Sequence, residues 1–567
     1  MPYLCRLFVG RWRKMTIQEF KEKYSKGSKT KEIIKLTKDD KNYHIHIKGL
    51  KASASSTLLS AVAESCNKTF IFILNDLEEA GYFYYDITQL LGDDKVLFFP
   101  SAYKRAIKYN IADVANEVLR TEAISKIQET DCKIVVTYPE AISEKVVSTE
   151  EVKSKSIKIK VAETLDISVL TNALNTNGFE YVDYVYEPGQ YSVRGSIVDV
   201  YSYSSEYPYR IDFFGDEIDS IRTFDINSQL SVETKKTVTI LPNLKESSSK
   251  SIPFTEFVPS NSILVCKDLK YVKEKICSII EDTKQIDLEQ EEAEKIRKQI
   301  ITNEQAEEIE NFKSIEFGNN SSKKADHSFL FDTIAQPLYH KNFDLVADSF
   351  REFQKKEYTL YICSNSKKQI ERIRSIFEER QDNISFIDID KALHEGFIDN
   401  ENKICLITDH QLFDRFHKYN LKSERVRASK VSLSLKEINQ FSKGDYVVHI
   451  DHGVGKFAGL MRIPHGDSTQ EVIKLTFQND DVVFVSIHAL HKVSKYKGKD
   501  GEPPRISKLG TGAWEKIKER TKKKIKDIAR DLIKLYAKRK QEEGFEYSPD
   551  SFLQKELEAS FLYEDTP

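Results

Sequence analysis

Hydrophobic positions change their period several times along the chain, and each change predicts a different element. The runs "KTFIFIL" (Lys68–Leu74) and "CKIVVTY" (Cys132–Tyr138) are apolar without alternation, the pattern of strands buried on both faces in a parallel sheet. Between about Lys41 and Lys155 such runs alternate with amphipathic helical stretches such as "IADVANEVLR". From about Ser156 to Leu241 the chain turns to short strands, "YVDYVYEPGQYSVRGSIVDVYSY", "YPYRIDFFG" and "EIDSIRTFD". Pro-Gly, Ser and Gly-Asp punctuate them, which predicts an antiparallel-rich insert. The sheet pattern resumes at "NSILVCKDL" (Asn261–Leu269), and the charged run "IIEDTKQIDLEQEEAEKIRKQIITNEQAEEIE" after it predicts a solvated helix pair or linker. A compact α/β unit follows over about Lys355–Tyr419: strand "YTLYIC", helix "KKQIERIRSIFEE", strands "ISFIDI" and "KICLITD". Strands and turns return from Gly444 to about Tyr496, and the remainder is mostly helix. There Trp514, Ile517, Ile525, Ile528, Leu532 and Leu535 recur at three- to four-residue steps between basic residues.

The expectation is a multidomain α/β chain. An N-terminal tail or helix (1–40) precedes a parallel α/β module in two parts (41–155 and 243–335), which encloses the insert (156–242). A small α/β domain (345–425), a small β-barrel of the Tudor or SH3-like kind (440–505), a helix (511–545) and a terminal segment (546–567) complete it. A length of 567 residues fits roughly four cores rather than one. The 86 Lys and Arg nearly balance the 89 Asp and Glu, so contacts with nucleic acid or acidic membrane must come from local patches. Cys5, Cys66, Cys132, Cys266, Cys277, Cys363 and Cys405 form no C-x-x-C pair and no His cluster sits beside them, which argues against structural zinc and a disulfide framework. No apolar run approaches the roughly 20 residues of a membrane span. The opening "MPYLCRLFVGRWRKM" lacks a signal-peptide pattern, so a cytoplasmic location is expected. Met15 is read as the natural start, against the alternative of a short disordered tail.

Candidate chemistry begins at "HIHIKGLKASASSTLLSAV" (His44–Val62), which has the strand, glycine, small-residue loop and helix of G-x-x-x-x-G-K-[ST]. Gly49 holds the first glycine, but Ala54 stands at the second and Ser55 at the lysine, ahead of Ser56. A working loop brings backbone N–H groups to the phosphates and neutralises them with the lysine. Ala54 hinders that approach, Ser55 brings no charge, and Lys51 lies too early to stand in. The nearest strand end, "VCKDL", offers Cys266 and Lys267 where magnesium needs a carboxylate. Two parts are missing, so this loop is read as a scaffold that joins strand to helix. In the insert, Arg194, Arg210, Phe214 and Asp216 combine exposed cations, an aromatic and a carboxylate around turns. Protein-recognition surfaces use such residues, although spacing alone favours an ordinary hairpin with surface salt bridges. His449 and His452 have no third ligand at metal-site spacing, so turn and packing roles are expected. Between Thr511 and Lys540 twelve Lys and Arg face four acidic residues; this is either a phosphate-tracking face or a solvated one.

The stretches "YVDYVYEPGQYSVRGSIVDV" and "YRIDFFGDEIDSIRTFD" resemble the UvrB-like module shared by the excision-repair protein UvrB and the bacterial transcription-repair coupling factor. "GDYVVHIDHGVGKFAGL" (Gly444–Leu460) resembles the coupling factor's RNA polymerase-interacting domain, which UvrB lacks. "GAWEKIKERTKKKIKDIARDLIKLYAKRKQEEGFEY" resembles its linking helix and "ELEASFLYEDTP" the entry to its motor. The resemblance covers residues 40–567 and points to the coupling-factor family. It implies a helicase-like N-terminal module with a degenerate phosphate loop, and a UvrA-recruiting insert in which Arg194, Arg210, Phe214 and Asp216 take part. It further implies that a barrel strand, here Leu460, Met461, Arg462 and Ile463 flanked by Lys456 and Lys474, pairs with the RNA polymerase β subunit. The family's ATP- and magnesium-dependent translocation on double-stranded DNA belongs to a motor expected beyond Pro567. No cofactor and no ATPase activity are therefore expected of these residues, and the chain reads as an adaptor. Two alternatives stay open: a UvrB-type nucleotide-dependent damage loader, and a standalone polymerase-binding transcription regulator.

Overall fold

The unalternating strand runs pair in parallel. The computed structural model describes residues 14–103, 113–127, 134–226, 229–244, 251–284, 290–337, 339–415, 417, 419, 442–465, 468–486, 493–496 and 504–541. Its largest sheet is ordered His327–Leu330, His44–Lys48, Lys313–Glu316, Ile263–Cys266, Phe70–Ile73, Ile134–Thr137, Val96–Phe98, and every neighbouring pair is parallel. Phe70–Ile73, Ile134–Thr137 and Ile263–Cys266 are buried at every position, as strands covered on both faces must be. Helices Ala54–Glu64, Leu77–Leu91, Val114–Ile127 and Leu269–Lys284 connect or flank them. Asp76 fixes the start of Leu77–Leu91 by accepting from the Glu79 amide at 2.8 Å.

A second sheet of six strands shares the same hydrophobic core. Lys14–Met15, Ile387–Ile389, Thr359–Cys363 and Ile404–Thr408 run parallel, and Phe397–Asp399 and Thr333–Ala335 add antiparallel neighbours. Two of its strands come from outside the 345–425 segment expected to form it. The first is Lys14–Met15, within the stretch expected as a tail or helix. The helices Ile17–Ser25 and Ser28–Lys38 then bury Ile17, Phe20, Tyr24 and Ile33 in the shared core. The charged run after Leu269 also differs from the solvated pair expected. Helices Leu269–Lys284 and Gln290–Gln299 send Ile276, Ile280 and Ile296 into the core, with their charges on the opposite side. The apolar residues there keep helical spacing beneath a dense charge pattern.

The insert is a six-stranded sheet ordered Ser231–Lys235, Glu217–Phe224, Tyr209–Phe214, Ile197–Val200, Gln190–Arg194, Glu180–Tyr181. All pairs are antiparallel except the last. Helix Ile167–Thr176 covers one face, where Leu170 and Leu174 join Val198, Val200, Ile211 and Ile221 in a separate core.

Residues 432–567 form a compact unit of their own. Its antiparallel sheet is ordered Val482–Ser486, Ser468–Thr476, Gly453–His465, Tyr446–His449, Val493–Lys495. Where a small barrel was expected, the two outer strands do not pair with each other among the described residues. The helix Ala513–Gln541 follows, and the segment 546–567 lies outside the described residues. Among the described residues no helix is long and apolar enough to cross a membrane.

Candidate functional site

Alternation along the insert strands separates two faces. Val198, Val200, Ile211 and Phe213 point into the core, so Asp199, Arg210 and Asp212 project from the other side. Asp199 lies opposite Arg210 in the register and is almost completely buried beneath the side chains around it. Arg210 grips this carboxylate with two bonds, Nε to Oδ1 at 2.8 Å and Nη2 to Oδ2 at 2.9 Å. It also donates to the Gln229 side-chain carbonyl at 2.9 Å, and its guanidinium lies 4.2 Å from the Phe224 ring centroid. Arg194 donates through Nη2 to the same carboxylate and rests 5.0 Å from the Tyr184 ring centroid. Asp212 and Arg222 form a second ion pair on neighbouring strands. Phe214 ends its strand with 83 % of its surface exposed, beside the positive-φ turn at Gly215. Asp216 is exposed at that turn, and its backbone carbonyl accepts from the Leu165 amide at 2.7 Å.

The structure thus brings Arg194 and Arg210 together on one carboxylate and places Phe214 and Asp216 at the tip of the hairpin that carries Arg210. Asp199, Gln229, Phe224 and Tyr184 were not singled out from the sequence. The available signal for Asp199 was a lone acid in "SIVDV" at an outward position, within reach of cations on both neighbouring strands.

The phosphate-loop segment is tied up internally. Gly49 takes φ +79°, where an added Cβ would overlap the Phe331 carbonyl oxygen. Ser55 Oγ donates to the Ala52 carbonyl at 3.0 Å, and Ser56 Oγ donates to Asp86 Oδ2 at 2.8 Å. Ala54 begins the helix and is fully buried. Asp86 Oδ1 accepts from the His394 amide at 2.6 Å, and Ser53 Oγ accepts from the Glu395 amide at 3.0 Å. These bonds lock the loop to the second sheet. Burial pushes the Asp86 carboxyl up to about 6 despite its hydrogen bonds. The Tyr82 ring stacks on His394 at 3.7 Å, and burial lowers both His394 and His417 to about 4. A cleft of about 360 Å³ adjoins the loop, lined by Lys51, Lys267, Glu79, Asp86 and Glu395 among others. Lys267 is paired with Glu79. Position 55 brings no charge to this cleft, and the Ser55 and Ser56 hydroxyls are already bonded within the protein.

In the second unit, Gly453–His465 pairs with Tyr446–His449 only as far as Lys456, and with Ser468–Thr476 along the rest. The Leu460–Ile463 stretch therefore has one edge without a strand partner among the described residues. Leu460 and Met461 are exposed there. Arg462 and Ile463 lie opposite Glu471 and Gln470. Lys456 Nζ sits 5.3 Å from the Tyr446 ring centroid, and Lys474 lies opposite Gly459 on the neighbouring strand. His449 and His452 stack at 4.6 Å, with the Asp451 amide donating to His449 Nδ1 at 3.1 Å. Among the described residues no group of three or more His, Cys, Asp or Glu could hold a metal ion.

Two family models match the chain. One, described as the UvrB interaction domain, covers residues 157–245; the other, the CarD-like/TRCF RID domain, covers residues 441–497. The charged face lies in the first and the five-stranded sheet in the second. The chain is similar to the N-terminal half of transcription-repair-coupling factors. It is 26 % identical over 598 residues to the transcription-repair-coupling factor of Bacillus subtilis strain 168, covering 91 % of this chain and 50 % of that protein. The Staphylococcus epidermidis RP62A factor is 24 % identical over 605 residues, covering 92 % of this chain and 51 % of its own length. The chain therefore spans about half the length of the curated relatives it matches. Both matched domains carry the surfaces described above, which places candidate contacts on two separate compact units.

Proposed function

We propose that the chain acts in transcription-coupled nucleotide excision repair as the adaptor portion of a coupling factor, in the cytoplasm. The observation that carries this reading is the presence in one chain of a UvrB interaction domain and a CarD-like/TRCF RID domain. The insert recruits UvrA through Arg194, Phe214 and Asp216, with Arg210 in the same face. The exposed aromatic and the guanidiniums are the residue types that dominate protein interfaces. The five-stranded sheet engages the RNA polymerase β subunit by strand addition along Leu460–Ile463, in keeping with the unpaired edge found there.

ATP-driven translocation on double-stranded DNA is the activity of a whole coupling factor and requires a motor with its own ATP and magnesium site. The Gly49–Ser56 loop supplies neither, so no catalysis is assigned to the described residues and the UvrB-type loader reading is not favoured.

The test is an affinity measurement on the full chain with core RNA polymerase and with UvrA, followed by a mixture of all three. Binding to each, and recovery of a ternary complex, is the expected outcome. A folded chain that binds neither partner would overturn the adaptor role. Polymerase binding without UvrA binding would instead favour a standalone regulator.

A further inference from the structure

We infer that Asp199 is the positioning residue of the charged insert face and that the two arginines on it have different tasks. Arg210 is a brace, and Arg194 is the arm offered to an acidic group of the partner. This assignment rests on the reading of the face as the UvrA-binding surface.

Donor use separates the two arginines. A guanidinium carries five N–H donors. Arg210 directs Nε and Nη2 at Asp199, Nη2 also at the Gln229 side chain, and Nη1 at the Gln229 carbonyl at 3.4 Å. Four bonds leave a single donor, and the ring of Phe224 closes one side of the planar group. The side chain is 15 % exposed. Gln229 is itself held in place: its amide donates to the Asp225 carbonyl and its Nε2 to the Ile226 carbonyl, both at 2.8 Å. Its side-chain oxygen is thus aimed at Arg210 by bonds that do not involve Arg210.

Arg194 is held by far less. Its one hydrogen bond among the described residues runs from Nη2 to Asp199, its Nε has no acceptor, and the side chain is 35 % exposed. The buried Nε is closed to a partner, so the donors left are those of Nη1 and the second N–H of Nη2, a planar fork that matches a carboxylate bidentately. Asp199 makes this geometry possible. One buried carboxylate serves two guanidiniums, so the cluster keeps a net positive charge while its members stay in place. Without that charge the two cations repel, Arg194 loses its anchor, and binding must then order a free side chain.

The experiment measures the affinity of the full chain for UvrA at two salt concentrations, with thermal melts of every variant. Asp199→Asn is expected to weaken binding by about tenfold without lowering its salt dependence, since it removes an anion, whereas Arg194→Ala weakens binding and lowers the salt dependence, since it removes a cation. The double variant is expected to bind no more weakly than Arg194→Ala alone, because both changes remove the same oriented fork. Asp199→Glu should restore part of the affinity. Arg194→Ala should leave the melting temperature unchanged, whereas Arg210→Ala should lower it. Wild-type affinity in Asp199→Asn, or losses that multiply in the double variant, would overturn the assignment. Should Asp199→Asn fail to fold, Arg194→Lys decides. A charge-preserving loss of affinity with an unchanged melt supports the fork, and undiminished binding overturns it. If the wild-type chain does not bind UvrA, the reading of the face fails first and the assignment falls with it.

Discussion

A Cβ on Gly49 would run into the Phe331 carbonyl oxygen, and the backbone there sits at φ +79°. Gly49→Ala therefore suffers both a clash and left-handed strain. A stability loss of about 2 kcal/mol or more is expected in urea unfolding. The sequence singles out this glycine as the first position of a phosphate-loop pattern; in the structure its constraint is packing against a segment that pairs alongside it. Asp86 was not legible at all, since its partners Ser56 and His394 are 30 and 308 positions away. Asp199 escaped notice for a similar reason: its meaning lies in which cations the register sets beside it. Asp86 also predicts a pH dependence. Its folded value, about 6, lies above the 3.8 of an ordinary aspartate, so the folded state binds the extra proton between them. Stability from this group is full at low pH and is lost as pH rises from about 4 through about 6. Asp86→Asn keeps an acceptor for the His394 amide without the buried charge. It is expected to match or exceed the wild type above pH 6, by about 1–2 kcal/mol, and to flatten that slope. Urea midpoints for both proteins at pH 4.5 and 7.5 would test this, and a variant less stable at both would refute it.

Elements were legible wherever one period governed a whole segment. The buried strands Phe70–Ile73 and Ile134–Thr137 and the helix Lys367–Glu379 fall within the runs that predicted them. Segments whose role depends on distant partners were not: the strands Lys14–Met15 and Thr333–Ala335 are short, and their place in the second sheet follows from pairing alone. The final helix shows the same limit from the other side. Its apolar stripe was readable, but Ile517, Ile525, Ile528, Leu532 and Leu535 are all exposed. What fastens the helix is its first turn: Trp514 Nε1 donates to the Ile450 carbonyl at 3.0 Å, and Lys518 Nζ reaches the same oxygen at 3.2 Å. Gly453 allows this approach, since a Cβ there would overlap Ser507 Oγ and come within 2.9 Å of the Trp514 ring. Gly453→Val is expected to displace the helix start without dissolving the sheet. In a Trp12→Phe background, Trp514 emission should shift to the red while the sheet's circular dichroism persists. An unshifted spectrum would mean that the anchor tolerates the added bulk.

For the whole molecule, the two candidate surfaces are each built entirely within one compact unit, residues 1–431 for the charged face and 432–567 for the five-stranded sheet. The residues proposed to meet UvrA and those proposed to meet polymerase therefore belong to different units. Mutations at well-separated sites with no shared partners act independently. Arg194→Ala is accordingly expected to lose UvrA binding by about tenfold, near 1.4 kcal/mol, with polymerase affinity unchanged. Leu460→Arg places a charge on the open edge of Gly453–His465, where Leu460 is 44 % exposed. It should weaken polymerase binding by a similar factor and leave UvrA untouched. The same independence can be read without mutation, because any coupling between two ligands is reciprocal. The polymerase dissociation constant measured with and without saturating UvrA should agree within about twofold, since the coupling factor is then near one. A larger ratio would have to appear equally in the UvrA titration. It would show that the two units communicate when their surfaces are filled, so that recruitment by this chain is conditional on polymerase engagement rather than additive to it.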